Sequence, residues 1–196
     1  MAKPEFNISL GNFFRTKELN EQGITNYKIT KLVDEGVLIK VYQGVYALGD
    51  VDTIEIRDIN VIVENGVVSL KSAAYYYKLL DGEEGKIEIT LNRDQKPPKL
   101  PYDFFSYYYT TSKFFEIGLN VIDQNGRKLK IYDIERTVCD IIRHRSKYDS
   151  YIVREVIDNY LKSDTRDIDK LLDYASQLRV RSIVENYLEI LGGKYE

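Results

Sequence analysis

The sequence predicts an α+β protein: an N-terminal winged helix–turn–helix followed by a larger mixed α+β domain with a helical C-terminus. One observation behind this prediction is a pair of short helical patterns, separated by glycine, that precedes two β-rich runs flanking Gln43–Gly44. Another is that strand-like and helical segments mix from residue 59 onwards, whereas only helical periodicity remains after Asp133. The chain has 196 residues, enough for one small and one larger core.

The N-terminal head begins with three predicted helices. The first covers about Glu5–Phe14 and offers aromatic side chains for burial. The second, Lys17–Glu21, starts after Thr16, whose hydroxyl suits the N-cap position, and Gly23 permits a tight turn at its end. The third spans about Thr25–Glu35 and has another threonine as its cap.

A β-hairpin follows the third helix. Leu38–Tyr42 and Val45–Leu48 are rich in aliphatic and aromatic residues, and Gln43–Gly44 separates them as a tight turn. Two helices joined by a glycine turn and followed by a hairpin make up a winged helix–turn–helix. We therefore expect a head at residues 1–50, a connector at 51–58 and an α+β domain at 59–196.

The rest of the chain mixes strands and helices. Residues 86–92 alternate apolar and polar side chains, which is typical of a half-buried strand. Further short strands are predicted at residues 104–109, 114–117, 120–123 and 128–131. Helices are predicted at residues 70–80, 133–144, 149–162, 167–177 and 180–191, and residues 59–63 fit either state.

Composition excludes several classes of protein. Hydrophobic residues make up 43% of the chain and charged residues 30%, as in a globular protein. No apolar run is long enough to span a membrane, and no basic start leads into an apolar run, so we expect neither a membrane segment nor a secretory signal. Cys139 and His144 are the sole residues of their types, which leaves no disulfide or zinc site. We expect a cytoplasmic protein without a metal or cofactor.

The third helix of the head carries the candidate DNA-contacting residues. Ile29, Leu32 and Val33 form an apolar stripe that faces the core and turns the polar residues outward. Side chains in the first turns of such a helix contact bases and phosphates in the major groove. The predicted DNA-binding residues are Thr25, Asn26, Tyr27, Lys28, Thr30 and Lys31 on this helix, with Lys40, Tyr42 and Gln43 on the hairpin.

The net charge of −3 constrains how the head would bind DNA. Its first fifty residues carry as many acidic as basic side chains, so attraction to phosphate must come from where the charges sit and not from a large positive field. Binding of protein partners alone is the competing interpretation, because a winged helix is also a compact way of burying apolar residues.

A nuclease is the main enzymatic alternative. Metal-dependent cleavage needs clustered carboxylates with a lysine nearby. Glu88 lies on a predicted strand, but Thr90 occupies the place where a lysine would be wanted. No serine, cysteine or histidine arrangement suggests covalent catalysis, so we expect no enzymatic activity.

Two polar clusters of the larger domain have their own interpretations. Arg136 and Asp140 lie four residues apart on a predicted helix, where a structural ion pair is favoured over chemistry. The basic run that ends this helix either complements the helix dipole or contacts phosphate, and both interpretations stay open. Its candidate phosphate-contacting residues are Arg143, Arg145 and Lys147.

Three motifs resemble the AbiEi family of abortive-infection antitoxins. The first covers residues 23–48: a glycine-led turn, a helix ending in Leu-Val-x-x-Gly, and a wing that closes on Gln-Gly-Val-Tyr. The second is Ser72-Ala73 at the start of an apolar helix, and the third is Arg136-Thr137-x-x-Asp140. Their order and spacing agree with the family over about residues 16–145.

The resemblance implies a type IV toxin–antitoxin system that aborts phage infection. The head would bind inverted repeats in a promoter and repress the operon that encodes the protein. The larger domain would counteract a cognate nucleotidyltransferase toxin without a stable complex between the two. Inverted repeats imply two copies on duplex DNA, whereas we expect a monomer in solution. A stand-alone transcriptional regulator, or a winged-helix protein-interaction module, is the alternative.

Overall fold

The computed structural model describes residues 11–49, 51–82 and 85–192. The fold is mixed α+β, as predicted, and the chain divides into two compact units that alternate along the sequence. The first unit consists of Met1–Gly66, Lys96–Phe104 and Val121–Leu129. The second consists of Val67–Gln95, Phe105–Asn120 and Lys130–Glu196.

The first unit contains a winged helix–turn–helix. Its elements are β1 (Phe13–Arg15), α1 (Thr16–Glu21), α2 (Asn26–Asp34), β2 (Leu38–Tyr42) and β3 (Val45–Leu48). β1 and β2 both pair antiparallel with β3, which gives the strand order β1-β3-β2. The predictions of the second and third helices and of the hairpin are confirmed, each to within one residue of the observed bounds.

Glycine turns and apolar spacing position these elements. Gly23 and Gly36 follow the two helices with φ angles of +78° and +71°, a conformation that other residues adopt at a cost. The chain can therefore reverse sharply after each helix. The buried core of this head consists of Phe14, Leu19, Ile24, Ile29, Leu32 and Leu38.

The helix predicted for Glu5–Phe14 is wrong at its C-terminal end. Phe13 and Phe14 lie in β1, where they pair with β3, and both rings are buried. A strand at this place satisfies the backbone hydrogen bonds while both aromatic side chains leave water. Residues 5–10 of that prediction lie outside the described residues.

The first unit continues beyond the hairpin. A 3-10 turn, Ile56–Asp58, leads into α3 (Ile59–Ile62), and α3 packs against β1. Asp58 is fully buried within this unit. The expected connector at residues 51–58 is thus partly structured, and the expected boundary after residue 58 falls inside a compact unit.

The second unit combines a mixed sheet with helices. The strands are β4 (Val67–Val68), β5 (Ile87–Asn92), β6 (Phe105–Thr110), β7 (Leu119–Gln124) and β8 (Arg127–Tyr132), in the order β6-β5-β4-β8-β7. β5 runs antiparallel to β4 and parallel to β6. Residues 121–129 of the β7–β8 hairpin group with the first unit. The two-residue strand β4 is too short to have a signature in the sequence.

The helices of the second unit pack around α6. They are α4 (Leu70–Tyr76), α5 (Ser112–Phe115), α6 (Ile134–Arg143), α7 (Ser150–Lys162), α8 (Ile168–Gln177) and α9 (Arg181–Gly192). The apolar side chains of α6 are buried against those of α4, α7, α8 and α9. Burial raises the pKa of the Cys139 thiol on α6, which is therefore an inert core residue. The four C-terminal helices predicted from periodicity are confirmed.

The strand predicted at residues 114–117 is wrong. Ser112–Phe115 forms the short helix α5, whose last two residues both donate their amides to the Thr111 carbonyl, at 2.9 and 3.0 Å. A short apolar run fits a buried helix turn as well as a strand, so periodicity alone could not separate the two.

Candidate nucleic-acid interface

Helix α2 turns its polar residues to solvent. The Thr25 hydroxyl caps it by accepting a hydrogen bond from the Lys28 amide at 3.4 Å. Ile29 and Leu32, three residues apart, are buried in the core of the head. The exposed residues are Thr25, Asn26, Tyr27, Lys28, Thr30 and Lys31, and we call this surface the α2 face.

Charge is distributed unevenly along α2. Its first turn has no acidic side chain, while Asp34 and Glu35 stand at its C-terminal end. Lys31 lies 3.7 Å from Glu35 in an exposed ion pair, which contributes little to stability and leaves the lysine able to exchange partners. The N-terminal half of the α2 face is therefore the half suited to phosphate.

The hairpin offers a second exposed surface, and a hydrogen bond from Tyr42 attaches it to α3. Lys40 and Gln43 are exposed, whereas Tyr42 is half-buried and donates a 2.6 Å hydrogen bond from its hydroxyl to the Ile62 carbonyl. Burial raises the pKa of Tyr42. Tyr42 thus attaches the hairpin to α3 through its hydroxyl, and Lys40 and Gln43 are the fully exposed members of the predicted hairpin set.

A buried arginine from far along the chain holds the head together. The Arg127 guanidinium pairs with the carboxylate of Asp58 and lies 3.4 Å from a carboxylate oxygen of Glu18 on α1. It also donates to the Phe13 carbonyl on β1 and stacks over the Phe14 ring, 5.3 Å from its centroid. One side chain therefore ties α1, β1 and the 3-10 turn before α3 to each other.

Sequence reasoning did not identify Arg127 as important. Arg127 and Asp58 are 69 residues apart, and local patterns carry no information about so distant a pairing. The arginine directly follows an Asn-Gly turn and looks like any exposed turn residue.

In the second unit, the Ser-Ala motif surrounds a buried carboxylate. Glu88 of β5 is 5% exposed, and its amide donates to the Ser72 hydroxyl at 2.8 Å. Its carboxylate accepts from the Lys71 amide at 2.7 Å and from the hydroxyls of Tyr108 and Tyr148 at 2.9 and 3.1 Å. The Ser72 and Lys71 bonds join the start of α4 to β5, and the two tyrosine hydroxyls add β6 and the segment before α7 to the cluster.

Both residues of the Ser-Ala motif are buried in the second unit. Ala73 is fully buried, and a larger side chain there would collide with its surroundings. Burial and the neighbouring Glu88 charge raise the pKa of Tyr148, so that hydroxyl stays a hydrogen-bond donor. Glu88 is engaged by donors and not by other carboxylates.

The Arg-Thr-x-x-Asp motif also lies inside the second unit. Arg136 donates from Nε to Asp140 Oδ2 at 2.9 Å, and from Nη1 to the carbonyls of Phe114 and Ile117 at 2.7 and 2.6 Å. Its guanidinium stacks on the Tyr132 ring, 4.1 Å from the centroid. The two Nη1 hydrogen bonds therefore attach the loop between α5 and β7 to α6.

Two further residues complete that arrangement. The Thr137 hydroxyl donates to the Asp133 carbonyl at 2.7 Å, one turn back on α6. Gly118, with φ +71°, has no side chain, and a Cβ there would lie 2.4 Å from the Cβ of Arg136. Glycine is therefore required for the close approach of the loop to the helix.

The basic run at the end of α6 is only partly engaged. Its members Arg143, Arg145 and Lys147 appear in no ion pair among the residues that the structure describes. The Arg143 guanidinium stacks over Phe114 and the Lys147 ammonium over Tyr108, 5.5 and 4.6 Å from the ring centroids. Both aromatic contacts leave the cations able to meet phosphate.

Within residues 11–49, 51–82 and 85–192, no three histidine, cysteine, aspartate or glutamate side chains converge where a metal ion would fit. None of these described helices has both the length and the apolar character needed to cross a bilayer.

Residues 4–49 match a family model described as a transcriptional regulator, AbiEi antitoxin. The matched segment contains α1, α2 and the β2–β3 hairpin, so the family resemblance read from the sequence is confirmed for the winged helix–turn–helix. No curated protein matches the chain.

The crystal structure of the RV2827C protein from Mycobacterium tuberculosis is similar in fold. The two structures superpose with a TM-score of 0.58, covering 90% of this chain and 74% of that one. The two sequences are 14% identical, so the likeness concerns the fold alone.

Proposed function

We propose that this chain, whose residues 4–49 match the AbiEi antitoxin regulators, binds inverted repeats in the promoter of its own operon and represses it. The observation that supports this most directly is the α2 face. It presents amide, hydroxyl and ammonium groups at the N-terminal half of a helix whose acidic residues stand at the other end. These groups suit base edges and phosphates in a major groove.

The proposed docking places α2 in the major groove and the hairpin beside the backbone. Asn26 matches the paired donor and acceptor of adenine, and Lys28 matches guanine or phosphate. Lys40 and Gln43 then contact an adjacent phosphate or the minor groove. Two copies would occupy the two halves of a repeat, and the protein would be a monomer away from DNA.

The second part of the proposal concerns the toxin. The second unit would counteract a nucleotidyltransferase encoded beside this chain in a phage-defence operon, without forming a stable complex. The antitoxin description of the matched family supports this role. Ser72 and Arg136 would serve it by maintaining the fold, because both are buried in hydrogen-bonded clusters.

Two assays test the proposal. In the first, purified protein is titrated onto the DNA upstream of its gene and the complexes are resolved by gel shift, with scrambled DNA as the control. Binding to an inverted repeat is expected, and failure to shift any upstream fragment would contradict autorepression. In the second, the neighbouring nucleotidyltransferase is induced in cells with or without this chain, and unrelieved growth arrest would contradict the antitoxin role.

Replacing Lys28 and Lys31 together with alanine should weaken operator binding about tenfold or more at moderate salt, because the variant loses one or two phosphate contacts. The slope of log K against log salt should fall by about 1–2, since each lost contact releases one fewer counterion. Binding measured by fluorescence anisotropy over a salt series checks both values.

Lys17→Ala provides the matched control, because Lys17 is an exposed lysine on α1 with an i,i+4 acidic neighbour like that of Lys31. It should leave affinity and salt slope unchanged. An unaltered slope in the Lys28/Lys31 variant would show that the α2 face is not the contact surface. The same variant should still relieve toxin-induced arrest, which separates the two activities without deleting part of a unit.

A further inference from the structure

Tyr27 is the most exposed of the large aromatic and aliphatic side chains that the structure describes, at 82%. Its neighbours on the α2 face, Lys28 and Thr30, are polar residues for which exposure is ordinary. A tyrosine ring left almost wholly in water loses the burial that usually stabilises it. The ring therefore offers a large apolar area that a ligand could cover.

The position of Tyr27 on α2 sets the direction of its ring. It is the second residue of the helix, after the Thr25 cap and Asn26. Side chains in a helix tilt towards its N-terminus, so the ring projects past the cap. If α2 enters a major groove with its N-terminal end leading, the Tyr27 ring is the part that reaches deepest.

We propose that the Tyr27 ring packs on the 5-methyl group of a thymine and makes this the position where the protein distinguishes thymine from cytosine. The proposal rests on the DNA-binding function proposed above. Among the groups that base edges present in the major groove, the thymine methyl is the apolar one, and an aromatic ring is suited to cover it.

The rest of the α2 face favours a role for the ring over one for the hydroxyl. Lys31 lies one turn after Tyr27 and Thr30 three residues after it, so both share its side of the helix. Ammonium and hydroxyl groups for phosphate are therefore already present there. What only Tyr27 adds to this surface is a large apolar area.

The test uses the full-length chain and duplex DNA. Binding sites are first selected from randomised duplexes, and each thymine of the selected site is then replaced in turn by deoxyuridine, which removes only the methyl group. We expect one thymine per half-site at which this replacement weakens wild-type binding by about tenfold, the discrimination of one good base contact. Cytosine there should bind more weakly than 5-methylcytosine.

Two substitutions assign the effect to Tyr27. Tyr27→Ala should bind the thymine and deoxyuridine duplexes equally, whereas Tyr27→Phe, which keeps the ring, should still prefer thymine. Because Tyr27 is exposed, both variants should unfold at the wild-type denaturant concentration, which circular dichroism checks.

Several outcomes would overturn the inference. One is wild-type protein that tolerates deoxyuridine at every position while still selecting a sequence. Another is Tyr27→Phe behaving as Tyr27→Ala does, which would assign the contact to the hydroxyl. A wild-type chain that selects no duplex sequence would overturn the DNA-binding function itself, and this result is distinct from the other two.

Discussion

Replacing Arg127 with alanine should lower the free energy of unfolding of the first unit by about 3–5 kcal/mol, the usual effect of removing one partner of a buried ion pair. The substitution leaves the Asp58 carboxylate, which is 0% exposed, without its cation. It also removes the Glu18 ion pair and the donor to the Phe13 carbonyl. Urea unfolding followed by circular dichroism measures the change.

Lys128→Ala is the matched control for this experiment. Lys128 is the adjacent residue of the same strand and is exposed, so its removal should change stability by less than about 0.5 kcal/mol. Operator binding should fall with Arg127→Ala in proportion to the loss of folded head, because the α2 face itself is untouched. Equal stability of the two variants would contradict the role assigned to Arg127.

The loss of unfolding free energy caused by Arg127→Ala should also depend on pH. Burial raises the pKa of Asp58, while the Asn12 amide and the Arg127 guanidinium oppose that rise. Without the guanidinium the folded-state pKa rises further. A carboxyl with a raised folded-state pKa favours folding below its unfolded-state pKa and loses that contribution as pH increases through the folded value. The difference in unfolding free energy between the wild type and Arg127→Ala should therefore shrink as pH falls from about 8 towards about 4.

Arg136→Ala should destabilise the second unit by a similar amount, about 3–5 kcal/mol. Arg136 is 1% exposed and donates to Asp140 and to two backbone carbonyls, which would remain buried without a donor. The loop between α5 and β7 would then lose its attachment to α6. Denaturant unfolding and faster amide exchange in residues 114–118 are the expected signs.

Two further variants define what the Arg136 side chain supplies. Arg136→Lys keeps the charge but offers one ammonium in place of a planar fork, so most of the destabilisation should remain. Arg154→Ala removes an exposed arginine from an ion pair with the same four-residue spacing, 3.4 Å from Asp158, and should have little effect. Full stability of Arg136→Lys would mean that charge alone matters there.

The parts of the fold that the sequence predicted are those fixed by local physical chemistry. Thr25 caps α2 as expected, and Gly23 and Gly36 adopt the left-handed backbone that their turns require. The spacing of Ile29 and Leu32 places both in the core and so determines which residues form the α2 face. The assignment of that face needed only helical periodicity.

The parts that were missed depend on distant partners. Phe13 and Phe14 look helical on their own, but β3 offers them a strand partner more than thirty residues later. In the local sequence Tyr42 looks like a solvent-facing hairpin residue, but in the structure its hydroxyl donates a hydrogen bond to the Ile62 carbonyl. Neither partner can be recognised from the residues next to Phe13, Phe14 or Tyr42, so local sequence patterns could not predict these contacts.

Arg136 and Asp140 are motif residues that form a structural ion pair. The sequence favoured a structural ion pair, and the geometry agrees, since Arg136 donates to Asp140 and to the Phe114 and Ile117 carbonyls inside the unit. Within the described residues, this motif contributes an ion pair and backbone hydrogen bonds to the second unit.

The interleaving of the two units has a consequence for synthesis of the protein. The ribosome adds roughly 5–20 residues per second, so Arg127 emerges several seconds after the winged helix has left the tunnel. Until then Asp58 has no cation to pair with. The head therefore lacks this ion pair until a residue two-thirds of the way along the chain has been made. We therefore expect chains released before that point to be cleared by proteolysis, so that only translation products that include Arg127 keep a folded head.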